Sequence, residues 1–318
     1  MMTKNSVAAV AAVLLGVLLL HVRAAEPPAS ERNVPTEPVL VRDVYPGLAS
    51  NSLTYARLSD LPSGVILTTD GLTIGVREVA DEMAKAPSEV QPQLKNNAFF
   101  MLENIATRKL LVMLGKAKTA PQEKDAPALT EPELIQTYLK AIAAHAEVGE
   151  AEISEFYAEN KDALGGASLE QVKDQIRPYL AQQKQQQVVN EHVRTLGRRL
   201  PIEVSAAWTK EQAVLARDNP VDKARGSGKP SLVDFGSTGC VPCDMLAPIL
   251  ETLKAKYAGK LNVLFVHVGQ EQILAARYGI QSIPMQFFYD KDGQEVFRHT
   301  GFWPQVEIEK KLAQMGVE

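Results

Sequence analysis

Val233-Asp234-Phe235-Gly236-Ser237-Thr238-Gly239-Cys240-Val241-Pro242-Cys243 is the stretch on which the reading of this chain turns. Residues 231–235 are a short apolar run around one aspartate, which reads as a buried strand. Beyond it, Leu246, Ile249, Leu250, Leu253 and Tyr257 fall on one face of a helix expected over 240–257. Pro248 inside that helix should bend it. Working outward, 263–268 reads as a second strand and 271–278 as a second helix. Residues 286–289 and 295–299 read as a hairpin around Asp290-Lys291-Asp292-Gly293. A helix over about 304–315 closes the region. Residues 205–318 are therefore expected to form an α/β domain.

Cys240 and Cys243 are the only two cysteines in the chain. Half a zinc site would need two further ligands. The histidines (His21, His145, His192, His267 and His299) have no suitable spacing to the pair. A purely structural disulfide closing so small a loop removes little chain entropy. No metal and no cofactor is expected.

Val233-Asp234-Phe235, Cys240-Val241-Pro242-Cys243, Ala247-Pro248-Ile249-Leu250, Tyr278-Gly279-Ile280 and Ile283-Pro284 all stand where thioredoxins have their counterparts. Over about residues 206–318 the chain resembles the thioredoxin family, and its order of strands and helices is the thioredoxin order. The resemblance implies a thiol–disulfide active site. Cys240 is placed at the start of a helix, where unpaired N–H groups and the helix dipole favour negative charge. Its thiol should ionise below the ordinary value of about 8.5 and act as the nucleophile, with Cys243 as the resolving thiol. Asp234 resembles the buried acid of the family, which exchanges a proton with the second cysteine. Pro284 resembles the family's cis-proline and would leave the backbone of Ile283 to pair with an extended substrate. Val241 and Pro242 complete the expected substrate-binding residues.

Four positions depart from the family pattern. Gly236 and Gly239 replace the usual tryptophans, which is expected to open the surface around Cys240. Phe265 stands where a lysine often partners the buried acid. Asp244 follows the second cysteine, where a basic residue is usual. Strong oxidants owe their power to a stabilised reduced form. No histidine lies between these cysteines to provide that, and the Val-Pro pair looks like that of reducing periplasmic thioredoxins. The expected activity is that of a protein-disulfide reductase acting on disulfide-containing or unfolded proteins, supplied by a membrane electron donor.

Upstream, residues 63–204 read as a mainly α-helical domain opened by a hairpin over 65–74 that turns at Asp70-Gly71. Ser88 with Gln91, Thr130 with Glu133 and Ser168 with Gln171 match capping boxes. Phe99, Leu102, Ile105, Ala106, Leu110 and Leu114 form one apolar stripe, and Leu169, Val172, Ile176 and Leu180 another. Residues 182–187 read as a solvated helix face. The segments Thr69-Asp70-Gly71-Leu72-Thr73-Ile74, Arg108-Lys109-Leu110-Leu111 and Ile153-Ser154-Glu155-Phe156-Tyr157 resemble the N-terminal chaperone domain of SurA-type and parvulin-type periplasmic proteins. That resemblance implies a surface for unfolded polypeptide. The stretch 118–150 is too short to carry the isomerase domain of many relatives. A chaperone or holdase, or an assembly adaptor with a thioredoxin domain as docking scaffold, is the alternative reading.

Residues 26–62 are proline-rich and read as a linker or arm, at least in their first half. Residues 1–25, with Lys4 before an apolar run over 7–20, have the layout of a secretory signal peptide. An uncleaved anchoring helix is the alternative, and the expected location is periplasmic or otherwise exported. The composition (45% hydrophobic, 23% charged, net charge −4) is that of a globular protein. It gives no reason to expect nucleic acid or an anionic surface as a partner.

Overall fold

The computed structural model describes residues 37–119, 129–144, 146–161 and 166–318. The leader reading of 1–25 lies outside them. The helical part runs in chain order through α1 (Val41–Val44), β1 (Arg57–Ser59), β2 (Val65–Thr69), β3 (Leu72–Gly75), α2 (Val76–Lys85), α3 (Gln91–Lys95) and α4 (Ala98–Lys118). It continues with α5 (Glu131–Ala143), α6 (Glu150–Asn160), α7 (Leu169–Arg194), α8 (Leu196–Arg199), β4 (Glu203–Ser205) and α9 (Ala206–Ala216). Local chemistry sets several of these boundaries. Gly71, at φ 76°, makes the β2–β3 turn in the left-handed region that glycine enters without a steric cost. Thr130 and Ser168 cap α5 and α7, their N–H groups donating to Glu133 and Gln171 at 2.8 Å each. The box expected at Ser88 does not form. Gln91 instead donates its amide to the Ala86 carbonyl at 2.8 Å, tying α3 to the end of α2.

Two features of this part differ from the sequence reading. Residues 38–62 are not a free arm, because Val41, Leu48, Leu53, Tyr55 and Ala56 are buried in the helical core. The buried Glu103 of α4 holds this segment. Its carboxylate accepts the N–H groups of Ser50, Asn51 and Leu53 at 3.0, 2.9 and 3.1 Å. Burial pushes that carboxyl up, and the N–H groups partly offset the rise. The segment also supplies β1, and the four strands form a sheet in the order β1-β4-β2-β3. The second difference is α9. Trp208 stacks on Phe99 with ring centroids 6.2 Å apart, and Ala213 and Ala216 join the helical core. The α/β domain expected from residue 205 therefore begins only after α9.

The C-terminal part is α10 (Pro220–Arg225), β5 (Ser231–Gly236), α11 (Val241–Lys256), β6 (Asn262–His267), α12 (Gln272–Arg277), β7 (Met285–Tyr289), β8 (Glu295–Thr300) and α13 (Gln305–Gln314). Its sheet has the order β6-β5-β7-β8, with β5 parallel to β6 and antiparallel to β7. Every residue of β5 and of β7 is buried, as expected for central strands covered on both faces. One core cluster joins Leu232 and Phe288 to Leu246, Leu250 and Leu253 of α11 and to Ile308 and Leu312 of α13. A second joins Val233, Phe235 and Phe287 to Leu274 of α12. Among the described residues no helix is long and apolar enough to cross a membrane.

Residues Pro38–Glu318 form one compact unit, and α12 is where its two parts lock. Gln93 of α3 donates its amide to the Gln270 carbonyl at 2.7 Å and accepts the Ile273 N–H at 3.1 Å, so the helical part caps the start of α12. Arg277 at the other end is buried. Its guanidinium donates to Asn97 Oδ1 (3.1 Å), the Ala216 carbonyl (2.9 Å), the Gly47 carbonyl (3.2 Å) and Asp222 Oδ2 (3.3 Å). A guanidinium can serve four acceptors because its donors form a rigid planar fork. Arg277→Met should lower stability by about 2–4 kcal/mol, since three partners from distant segments lose their donor and Asp222 keeps a poorer shell. Urea unfolding of the full chain measures this, and a loss below about 0.5 kcal/mol would contradict the account.

Candidate active site

Cys240 is the N-cap of α11, with extended backbone and its carbonyl accepting the Asp244 N–H at 2.9 Å. Pro242 sits in the first turn, where its missing N–H costs nothing. Gly239 before it has φ 79°, the left-handed backbone that turns the chain from the loop into the helix. The structure holds the two sulfurs as a disulfide, with Cα atoms 5.2 Å apart. They differ in access: Cys243 is 3% exposed, whereas Cys240 is only partly buried. Cys240 thus stands at a helix N-terminus, a position that in general favours a thiolate over a thiol.

Asp234 lies in the middle of β5 and is fully buried. Its Oδ1 accepts the amide of Gln286 at 2.8 Å, and among the described residues Oδ2 has no hydrogen-bond partner. Burial pushes this carboxyl up to about 6, partly opposed by the Gln286 amide. Gly236 locates it relative to the sulfurs. The point where a Gly236 Cβ would stand is 3.4 Å from Asp234 Oδ2 and 3.3 Å from Cys243 Sγ. The same point is 2.8 Å from Cε2 of Phe265. Loss of a side chain at 236 therefore does not open the surface, because the Phe265 ring occupies that space. At Gly239 the space is open.

The Ile283–Pro284 bond is cis. Pro284 is buried, Ile283 is partly buried, and β7 begins directly after them. Met285 pairs with Phe235, so this loop and the loop leading to Cys240 leave the same end of the sheet. Val241, Met245 and Phe265 are 70%, 52% and 50% exposed, an apolar set on α11 and β6. The sequence reading thus finds Cys240, Cys243 and Asp234 together, with Val241 and Pro242 on the first turn of the same helix and Ile283 and Pro284 at that end of the sheet. It missed two residues. Gln286 was visible only as a polar residue inside an apolar strand. His267 ends β6 and braces the loop before Cys240. Its Nε2 faces the Thr238 N–H at 3.3 Å and Thr238 Oγ1 at 3.2 Å, and its Nδ1 accepts the Gly269 N–H at 3.2 Å. Among the described residues no group of three or more His, Cys, Asp or Glu side chains could hold a metal ion.

A dithiol at a helix N-terminus, a buried acid behind it and a cis-proline at the same sheet end define a thioredoxin-like domain. The family model described as a thioredoxin-like domain matches residues 218–316. Thioredoxins of Staphylococcus aureus strains Mu50 and MW2 are each 43% identical over 81 residues, which is 26% of this chain and 77% of theirs. The chain belongs to the thioredoxin family, and domain and relatives support a thiol–disulfide oxidoreductase.

The raised carboxyl carries a stability signature. A folded value of about 6 against 3.8 means that the native state binds the extra proton between those values. Stability is therefore highest below about pH 4 with respect to this group, and falls as pH rises towards 6. Asp234→Asn should make the oxidised protein more stable than the parent above pH 7, by up to about 3 kcal/mol, with the gain vanishing near pH 4. Urea unfolding across pH checks both the sign and the window.

Proposed function

We propose that this protein is an exported dithiol–disulfide oxidoreductase working in the reducing direction, with a helical part that brings polypeptide to the dithiol. The observation that carries the reading is the asymmetry of the two sulfurs. One is accessible at a helix N-terminus, and the other is buried and borders the same space at Gly236 as an unpartnered carboxyl oxygen.

The reduced Cys240 thiolate attacks one sulfur of a substrate disulfide. A Cys240–substrate disulfide forms and the other substrate sulfur leaves as a thiolate. Cys243 then loses its proton to the Asp234 carboxylate and attacks Cys240 Sγ. The substrate's remaining sulfur is released as a thiolate, and the Cys240–Cys243 disulfide is left. Two electrons have passed from the dithiol to the substrate. An external dithiol donor, delivered through the membrane for an exported protein, must restore them. The absence of a histidine between the cysteines and the acidic Asp244 after them favour a reducing pair over an oxidising one. The exposed Val241, Met245 and Phe265 suit an apolar polypeptide segment, and the leader layout of residues 1–25 supports export.

Insulin reduction with dithiothreitol as donor tests the reading. The parent chain should accelerate precipitation of the insulin B chain, and Cys240→Ser should abolish the effect. The reduction potential should lie nearer about −270 mV, the value of thioredoxin itself, than about −120 mV, that of a strong dithiol oxidant. Activity that survives Cys240→Ser would overturn the enzyme, and a potential near the upper figure would overturn its direction.

A further inference from the structure

Three strands and one helix enclose the Asp234 carboxyl. Residues directly opposed in a ladder share a face. Across β6 the partner of Asp234 is Phe265, and across β7 it is Gln286. From α11 comes Cys243. Of these three, only the cysteine, when reduced, can titrate. Among the described residues no charged side chain acts on Asp234.

The two non-titrating neighbours do different things. Gln286 is itself fully buried and donates to Oδ1. That donor occupies one carboxyl oxygen, so a proton taken up by the group goes to the other. The other is Oδ2, which together with the Cys243 sulfur borders the space at Gly236, the two atoms 3.4 and 3.3 Å from where a Cβ would stand there. Phe265 lines the same space. Its ring edge stands 2.8 Å from where a Gly236 Cβ would be, in the space that Oδ2 and Sγ also border and that any side chain at 236 would take. Phe265 is 50% exposed and Asp234 fully buried, so this ring reaches from solvent into the space that the acid borders.

We infer that Gln286 and Phe265 are positioning residues for the proton step, Gln286 fixing which carboxyl oxygen exchanges with Cys243 and Phe265 keeping water and cations away from it. The inference rests on the proposed reduction cycle for its kinetic meaning, though not for its structural content. In the cycle, the proton leaves Cys243 Sγ for Asp234 Oδ2 as the sulfur attacks Cys240. The Gln286 amide stabilises the charge left on the carboxylate until transfer, and the proton later returns by the same path.

The test uses the full chain with carboxyl carbons labelled, titrated by NMR in both redox states. Gln286→Leu removes the donor to the carboxylate, and should move the Asp234 titration up by about one pH unit. Phe265→Lys brings a cation to the carboxyl, and should move it down by about one unit. Phe265→Ala admits water and should also move it down, whereas Phe265→Leu, which keeps an apolar wall, should leave it near the parent value. The pH profile for release of a mixed disulfide on Cys240 should shift with each titration, while alkylation of Cys240 in Gln286→Leu should keep the parent's pH dependence. An Asp234 titration that moves by less than about 0.3 unit in Gln286→Leu would overturn the role of Gln286. A Phe265→Ala titration equal to that of Phe265→Leu would overturn the role of Phe265. If the titrations move as stated but the parent chain does not reduce insulin, the positioning stands and the proposed reaction falls.

Discussion

Everything catalytic in this fold depends on where one sulfur sits relative to one helix. Cys240 is the N-cap of α11, where first-turn N–H groups have no partner inside the helix and the helix dipole is positive. A sulfur there meets a standing field that favours its ionised form. The rest of the C-terminal part can be understood as holding that cap still. Gly239 supplies the left-handed turn into the helix, His267 braces Thr238 in the loop before it, and Leu246, Leu250 and Leu253 anchor the helix on the sheet. Phe265 and Gln286, from the strands flanking β5, complete the enclosure behind the second sulfur.

The helical part is tied to this arrangement through polar contacts at α12. Gln93 caps the start of that helix, and Arg277 at its end ties together Gly47, Asn97, Ala216 and Asp222. Such contacts are directional, so they fix an orientation as well as an attachment. The same helix leads into the loop that carries the cis Ile283–Pro284 bond. A polypeptide held by the helical part would therefore meet the dithiol in a set geometry, which is the property the proposed delivery role needs.

Much of the C-terminal part was legible because local signals agree there. The apolar run of β5, the apolar face of α11, the turn residues of the last hairpin and the cysteine spacing all point to one order of elements. The stripe on α4 and the caps of α5 and α7 were legible for the same reason. The N-terminal sheet was not. β1 and β4 are three residues each, too short to show a period, and their pairing joins Arg57 to Glu203 across most of the helical part. The prolines of 38–62 signal turns truthfully, but a turn signal does not say whether the chain between turns is buried against a carboxylate such as Glu103. Among site residues, Cys240 and Cys243 stood out by type and spacing, and Asp234 and Pro284 through the resemblance to thioredoxins. Gln286 and His267 act only through neighbours that the sheet brings from far along the chain, so no local signal gave them a role, and Gln286 was marked only by its polarity in an apolar strand.

The most direct measurement is the ionisation of the first sulfur, read as thiolate absorbance in the ultraviolet during a pH titration of the reduced full chain. Cys243→Ala serves to assign the signal to Cys240. The account predicts half-ionisation at least about one unit below the ordinary thiol value of about 8.5. A Cys240 that ionises at or above that value would show that the helix terminus does not activate it, and would contradict the central claim.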